Sequence, residues 1–114
     1  MPTSDQQKNT ANAIATIRAA EDLLTQQIRE ATDILTATKL MNECNCLDSY
    51  LSQLLHAQNS ADDASFAIAT AALKSQADNL KIDQDTMKGI VGDIEIAANI
   101  VGNISKALVF IAKL

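Results

Sequence analysis

The first third of the chain carries one apolar stripe at helical spacing. Apolar side chains recur at alternating steps of three and four residues from Ile14 to Leu35, and this period places them on one face of a helix. Two overlapping pairs, Thr3 with Gln6 and Ser4 with Gln7, fit the capping box that opens a helix. The pattern predicts a first helix that begins at Thr3 or Ser4.

The apolar stripe then moves to nearly the opposite side of the helical wheel. Its next members run from Leu40 to Leu55, and one straight helix facing one core cannot bury both sets. We favour a turn between Thr38 and Asn45, because Asn tolerates turn and cap geometry. The alternative is a continuous helix that is buried on different sides at its two ends.

A further helix start is predicted near Ser60. The segment from Asn59 to Asp63 offers cap residues and places acidic groups in a first turn, where the helix dipole favours them. Apolar positions from Phe66 to Leu80 nevertheless continue the face of the preceding stretch. Residues 46–81 therefore fit one long helix as well as two.

The last helix is predicted from Gln84 to Lys113. Asp83 is a suitable N-cap, and Ile82 before it has the spacing to Met87 of a hydrophobic staple. Polar residues keep only about 100° of the circumference of this helix. A helix that is apolar over most of its girth lies at the centre of a bundle or faces a second subunit, so we predict an interface on it. The predicted interface residues are Ile90, Ile94, Ile96, Ile100, Val101, Ile104, Leu108 and Ile111.

These elements predict an all-α fold, with one helical-bundle domain over residues 1–114. The expected architecture is an elongated antiparallel bundle of three long helices, the second either continuous or split near Asn59, that associates through its C-terminal helix. The composition agrees, with 19 Ala, 12 Leu and 12 Ile and neither Gly nor Pro between residues 3 and 88. This argues against sandwiches, barrels and Rossmann units, which need tight turns.

The charge of the chain and the composition of its ends limit the classes of partner and the locations that we expect. The formal net charge is −5, and the basic residues are scattered, which argues against nucleic acid and anionic membranes as partners. The first residues carry no secretory signal pattern, so a cytoplasmic location is expected, with leaderless export left open. The longest uncharged stretch near the C-terminus, Ile96 to Ser105, has ten residues, and we expect no transmembrane helix.

Cys44 and Cys46 form the one constellation with a chemical character. Their spacing lacks the two to four intervening residues usual in zinc knuckles, and on a helix such residues point apart. We therefore expect no metal site and interpret Cys44 as a small core residue and Cys46 as an exposed residue of a turn. A redox or disulfide use of the pair remains an alternative.

No enzymatic motif is present. His56 has no nucleophile beside it in sequence, and the acidic pairs Glu21-Asp22, Asp62-Asp63 and Asp83-x-Asp85 fit helix first turns or exposed faces. The phosphate-binding loop, the zinc-protease motif and the nucleophile elbow are all absent. The sequence predicts a protein that is not an enzyme and needs no cofactor.

The predicted function is assembly through helix–helix packing, with a second copy as a homodimer or higher oligomer, or with another protein. The alternatives are a membrane-active helical protein and a small metal or redox protein that uses Cys44 and Cys46. The size and helical hairpin are similar to those of small secreted helical-hairpin proteins of bacteria. The chain has no Trp, however, and lacks the Trp-x-Gly turn of that group, so no family follows from the sequence.

Overall fold

The computed structural model describes residues 2–60 and 62–114, and the described chain is all-α. It has five helices and no strand in those two ranges, and it measures 47 × 21 × 21 Å. The prediction of three long helices is therefore wrong in number. The helices are α1 (Ser4–Glu30), α2 (Ile34–Gln58), α3 (Asp63–Ser75), α4 (Ala77–Ile90) and α5 (Ile94–Ala112).

Helix α1 begins as its sequence predicts. The Thr3 side chain accepts a hydrogen bond from the Gln6 backbone N–H, and the Gln6 side chain accepts one from the Thr3 N–H, which completes a capping box. The apolar stripe of α1 is buried along Ile14, Ile17 and Leu24. The capping pair and the buried stripe agree on where the helix starts and which side faces the core.

The turn predicted between Thr38 and Asn45 is wrong, because α2 passes through that interval as continuous helix. The chain turns earlier, at residues 31–33, and Asp33 caps α2 by accepting a hydrogen bond of 2.7 Å from the Thr36 N–H. Because these three residues are not helical, the 100° step per residue does not continue from α1 into α2. The apolar stripe therefore changes sides on a helical wheel drawn through both. The buried positions of α2 then follow a heptad-like spacing. They are Leu40, Glu43, Leu47, Tyr50, Leu54 and Ala57.

The helix start predicted near Ser60 is confirmed as a boundary. Asp62 is the N-cap of α3 and accepts a hydrogen bond of 2.7 Å from the Ser65 N–H, so residues 46–81 are not one helix. Ala61, within the predicted cap segment, lies outside the described residues. A second interruption at Gln76 separates α3 from α4. Gln53 of α2 donates a side-chain hydrogen bond of 2.9 Å to Gln76, and this contact holds the interruption against α2.

The predicted start of the last helix at Asp83 is wrong. Asp83 lies inside α4, and Ile82 is exposed on the same helix, so the pair does not form a helix entrance. Helix α5 begins ten residues later, where Asp93 accepts a hydrogen bond of 3.0 Å from the Ile96 N–H. The loop before it contains Gly92, and an Asp that follows a glycine is the better stop-and-start signal.

The five helices pack in four antiparallel rows. Helix α1 lies between α2 and α5, while α3 and α4 together form the row between α2 and α5 on the other side. Their buried side chains form one hydrophobic cluster. Gln6 of α1 donates a hydrogen bond to the Leu114 carbonyl, which places the end of α5 beside the start of α1. Because α5 has 19 residues against 27 in α1, the α1–α2 hairpin extends beyond the start of α5.

Candidate interaction surface and acidic clusters

The structure distributes the predicted interface residues between the inside and the outside of α5. Ile100, Ile104 and Ile111 are buried in the core of the single chain. Ile94 is 87% exposed. The remaining four, Ile90 at the end of α4 and Ile96, Val101 and Leu108 on α5, are half-buried. Part of the apolar circumference of this segment thus fills the core of the single chain, and the rest lies at its surface.

A line of exposed and half-buried side chains, apolar or small, runs along the outside of α5. At 100° per residue its members fall within about 50° on either side of one line. We call them the outer stripe: Ile94, Ala98, Val101, Gly102, Ser105 and Val109. Exposed apolar side chains stand at its two ends, Ile94 and Val109, the latter 53% exposed. The middle holds Ala98, Gly102 and Ser105, with the half-buried Val101 among them.

A shallow apolar groove accompanies the outer stripe where α5 meets the end of α4. The groove has a volume of about 410 Å³ and is lined by Lys88, Val91, Ile94, Ala97, Ala98, Val101 and Gly102. Gln84 of α4 fixes the position of its wall by donating hydrogen bonds to the Val101 carbonyl at 2.9 Å and to Ser105 Oγ at 2.7 Å. The surface is therefore built on two helices that are tied together.

Gly102, at the centre of the outer stripe, has no neighbouring side chain among the described residues of its own chain where a Cβ would stand. A Cβ placed there would meet no heavy atom of the described residues within 4 Å, and its φ is not positive. Neither close packing inside the chain nor backbone conformation requires glycine at this position. What glycine does provide is a flat site at which another helix can approach closely.

Helix α5 also meets the criteria for a membrane-spanning segment. Its 19 residues are long and apolar enough to cross a bilayer by length and composition, although a core helix of a soluble protein passes the same test. In the bundle, 28% of this segment is buried. The expectation that the chain holds no such helix rested on the short uncharged stretch from Ile96 to Ser105 and on the two asparagines, Asn99 and Asn103, within it. Helix α5 is nevertheless long and apolar enough.

The two cysteines lie on different sides of α2. The Cys44 thiol is hydrogen-bonded to Thr25 of α1, whereas Cys46 lies with Glu43 beside Asp83 of α4. Both are half-buried and free, and burial raises the pKa of each thiol. One site formed by both sulfurs is thereby disfavoured, as their i, i+2 spacing on a helix implies.

The first of two acidic clusters lies between α1 and α2. The carboxyl groups of Glu21 and Asp48 are within hydrogen-bonding reach, and Glu21 Oε1 is buried without a partner among the described residues. Burial, Asp48 and Asp22 together raise the pKa of Glu21 to about 7, against a smaller opposing effect of Arg18. Glu21 therefore holds a proton in the folded chain at pH values where an unfolded chain has lost it.

This raised pKa predicts that stability falls as pH rises from about 4.5 to 7. The folded state binds the Glu21 proton more tightly than the unfolded state does. The stabilisation that this proton gives is complete below pH 4.5, the ordinary pKa of a Glu, and is lost as the pH rises through the folded-state pKa of about 7. Glu21→Gln should stabilise the chain at pH 8 by on the order of 1 kcal/mol, reduced for solvent screening, and have little effect near pH 4. Urea denaturation at both pH values measures this.

Asp22→Asn is the matched control, because Asp22 is the exposed neighbour on the same helix. It should change stability less at pH 8 than Glu21→Gln does. Parallel stability curves of the native chain and Glu21→Gln between pH 4 and 8 would contradict the raised pKa.

The second acidic cluster lies between α2 and α4. One carboxylate oxygen of Glu43, Cys46 Sγ and one carboxylate oxygen of Asp83 all lie within 4.8 Å of one another. Burial raises the pKa of all three groups, and Asp83 further raises those of Glu43 and Cys46. Tyr50 borders the cluster within hydrogen-bonding reach of Asp83, and burial together with Asp83 raises the Tyr50 pKa to about 12.

The sequence pattern did not predict that Glu43 and Asp83 lie in one cluster. Glu43 could have been noticed, because it occupies a position of the buried heptad-like stripe of α2, where a charged residue is unusual. Asp83 could not, because its contact with α2 depends on α4 extending past the predicted helix start. His56 is exposed, and Asp62 serves as the α3 cap, as its sequence position suggested.

Comparison with known proteins adds no relationship. No protein-family model matches the chain, and searches of curated proteins and of solved structures return no match.

Proposed function

We propose that the protein is a non-enzymatic assembly protein, and that it associates with a second copy of itself through the outer stripe of α5. The observation that carries the proposal is the outer stripe, with the exposed Ile94 and Val109 near its ends, on a helix whose opposite side already fills the core. Exposed apolar lines of this kind mark interaction sites. A second copy is the occupant we infer from the symmetry of the line.

The outer stripe is self-complementary when two α5 helices pack antiparallel. Ile94 then faces the partner's Val109, Ala98 faces the partner's Ser105, and Val101 faces the partner's Gly102. Each contact occurs twice about a two-fold axis, as in an isologous interface. At the crossing, where the helices are closest, Val101 of each chain packs on the flat site that the partner's Gly102 leaves.

Charges beside the outer stripe agree with this arrangement. Glu95 and Lys106 are both exposed on the same flank of α5. In the antiparallel pair, Glu95 of one chain lies within about 3 Å along the axis of Lys106 of the other, at 1.5 Å per residue. Opposite charges therefore meet near both ends of the antiparallel interface.

The size of the outer stripe predicts a weak complex. From Ile94 to Val109 the stripe is about 22 Å long at 1.5 Å per residue. One such line, with the groove beside it, falls short of the roughly 800 Å² per partner of a standard interface. We expect a reversible monomer–dimer equilibrium with a Kd on the order of 10 µM or weaker. Sedimentation velocity across a concentration series should show a mass that rises from one chain to two.

Gly102→Leu separates this association from folding. A Cβ at this position meets no heavy atom of the described residues within 4 Å, and removal of a mid-helix glycine stabilises a helix by up to about 1 kcal/mol. In the dimer the added side chain would hold the helices apart, and we expect dimer affinity to fall at least tenfold. Sedimentation and thermal melting of the same sample measure the two effects.

Gly89→Leu is the matched control, since Gly89 of α4 also faces open space but lies off the outer stripe. It should leave the dimer affinity unchanged. Equal dimer affinities of the native chain and Gly102→Leu would contradict the proposed crossing point.

A membrane-active role is the second candidate, and the length and apolar composition of α5 favour it. In that case the bundle opens and α5 enters the bilayer. Flotation with vesicles of neutral lipid would recover the protein in the lipid fraction. If the protein remains entirely in the aqueous fraction, this candidate fails.

A further inference from the structure

A buried carboxylate without a partner faces a thiol and a second carboxylate between α2 and α4. Glu43 is 8% exposed, and its Oε2 has no hydrogen-bond partner among the residues that the structure describes. Burial of such a group without compensation is costly, and native proteins seldom retain it without a reason. A bound cation, or a proton shared with Asp83, would compensate the buried Glu43 carboxylate.

We propose that Glu43, Cys46 and Asp83 bind a thiophilic divalent cation, Zn²⁺ being the expected one. The three ligand atoms already lie within 4.8 Å of one another. Around a four-coordinate Zn²⁺ with bonds of 2.0 to 2.3 Å they would be separated by about 3.3 to 3.7 Å. Small side-chain movements on two packed helices are enough to close the site.

The ligand set selects the kind of cation. A thiolate favours zinc-like ions over Mg²⁺ and Ca²⁺, which take oxygen ligands alone. Three anionic ligands would leave one net negative charge on a site with Zn²⁺, in place of three that repel one another. A fourth position remains for water, as in open zinc sites.

The neighbouring side chains suit such a site. Tyr50 lies beside Asp83, and its hydroxyl donates a hydrogen bond of 3.4 Å to the Gln76 carbonyl at the α3–α4 interruption, which ties this edge of the cluster to α2. Because a thiol must lose its proton to bind a metal ion, affinity should increase with pH. On this account Glu43 is kept in the α2 core stripe for the ion.

Co²⁺ is the probe, since thiolate coordination gives it a near-ultraviolet charge-transfer band and four-coordination gives it intense visible bands. The full chain is reduced, freed of metal with a chelator and titrated. We expect one Co²⁺ per chain with both signatures, and displacement of Co²⁺ by Zn²⁺. A titration that shows no charge-transfer band would overturn the proposal, and a proton shared between Glu43 and Asp83 would then account for the cluster.

The two cysteines provide a matched pair of variants. Cys46→Ser should remove the charge-transfer band and weaken Zn²⁺ binding at least tenfold, whereas Cys44→Ser, two residues away on the α1 side, should retain both. Asp83→Asn should weaken binding with the band retained at saturating Co²⁺. A band that survives Cys46→Ser, or that disappears in Cys44→Ser, would refute the assignment.

A second measurement keeps the test independent of the stability of the variants. On the native chain, Zn²⁺ should slow alkylation of Cys46 by iodoacetamide and leave the rate at Cys44 unchanged, with mass spectrometry of peptides reporting each site. Equal protection of both thiols, or none, would count against the site.

Discussion

Ile94→Asp should weaken self-association at least tenfold and leave the fold of the single chain intact. Ile94 is the first residue of α5, directly after the Asp93 cap, and is 87% exposed. A carboxylate in a helix first turn is favoured by the helix dipole, so the monomer should tolerate it. In the dimer the same carboxylate lies against the partner's Val109 and loses water without gaining a partner.

The size of this effect follows from symmetry. Burying an isoleucine side chain contributes about 1.5 to 3 kcal/mol, and a two-fold interface loses that contribution twice. Each 1.4 kcal/mol is a factor of about ten in Kd. Sedimentation velocity measures the affinity, and circular dichroism melting measures the fold.

Ile34→Asp is the matched control. Ile34 is the first residue of α2, follows the Asp33 cap and is 86% exposed, so its local setting is the same as that of Ile94. It lies off the outer stripe, and the dimer should be unaffected. If both variants associate as strongly as the native chain, or if only Ile34→Asp dissociates it, the interface is elsewhere.

Glu43→Met should stabilise the metal-free chain by about 1 to 2 kcal/mol at pH 8, the cost of a buried polar group without a partner. Met has a similar length and fits the heptad-like stripe of α2 between Leu40 and Leu47. The expected rise in Tm is several degrees for a chain of this size. Thermal melting in the presence of a chelator measures it.

Glu30→Met is the control for this substitution, because Glu30 is exposed at the end of α1. It should change stability by less than about 0.5 kcal/mol. A Glu43→Met chain that is less stable than the native one would show that the carboxyl group is satisfied in solution, contrary to the structure.

The helix starts show where sequence patterns succeed and where they fail. Thr3 and Asp62 were predictable because each combines a capping side chain with an apolar pattern that begins after it. Asp83 offers the same local signal as Asp93, yet only Asp93 caps a helix. Asp83 instead faces Tyr50, and that tertiary contact cannot be inferred from neighbouring residues.

Some features of the candidate sites were likewise predictable from neighbouring residues in the sequence, and others were not. The i, i+2 spacing of Cys44 and Cys46 is enough to predict that they point apart on a helix, and the structure places them against different helices. The apolar girth of the last segment indicated an interface without distinguishing Ile104, which fills the core, from Ile94, which is exposed. That distinction depends on which neighbours α1 and α4 provide.

The most direct test of the α5 contact is disulfide formation between two singly substituted chains, both in a Cys44→Ser, Cys46→Ser background. Ala98→Cys on one chain and Ser105→Cys on the other place sulfurs opposite each other in the antiparallel pair, within the reach of a disulfide. Under mild oxidation an equal mixture should form the mixed dimer much faster than either variant alone forms its own. Cross-linking of Ala98→Cys chains with each other at the faster rate would show a parallel pair, and no cross-linking in any sample would contradict the assembly surface itself.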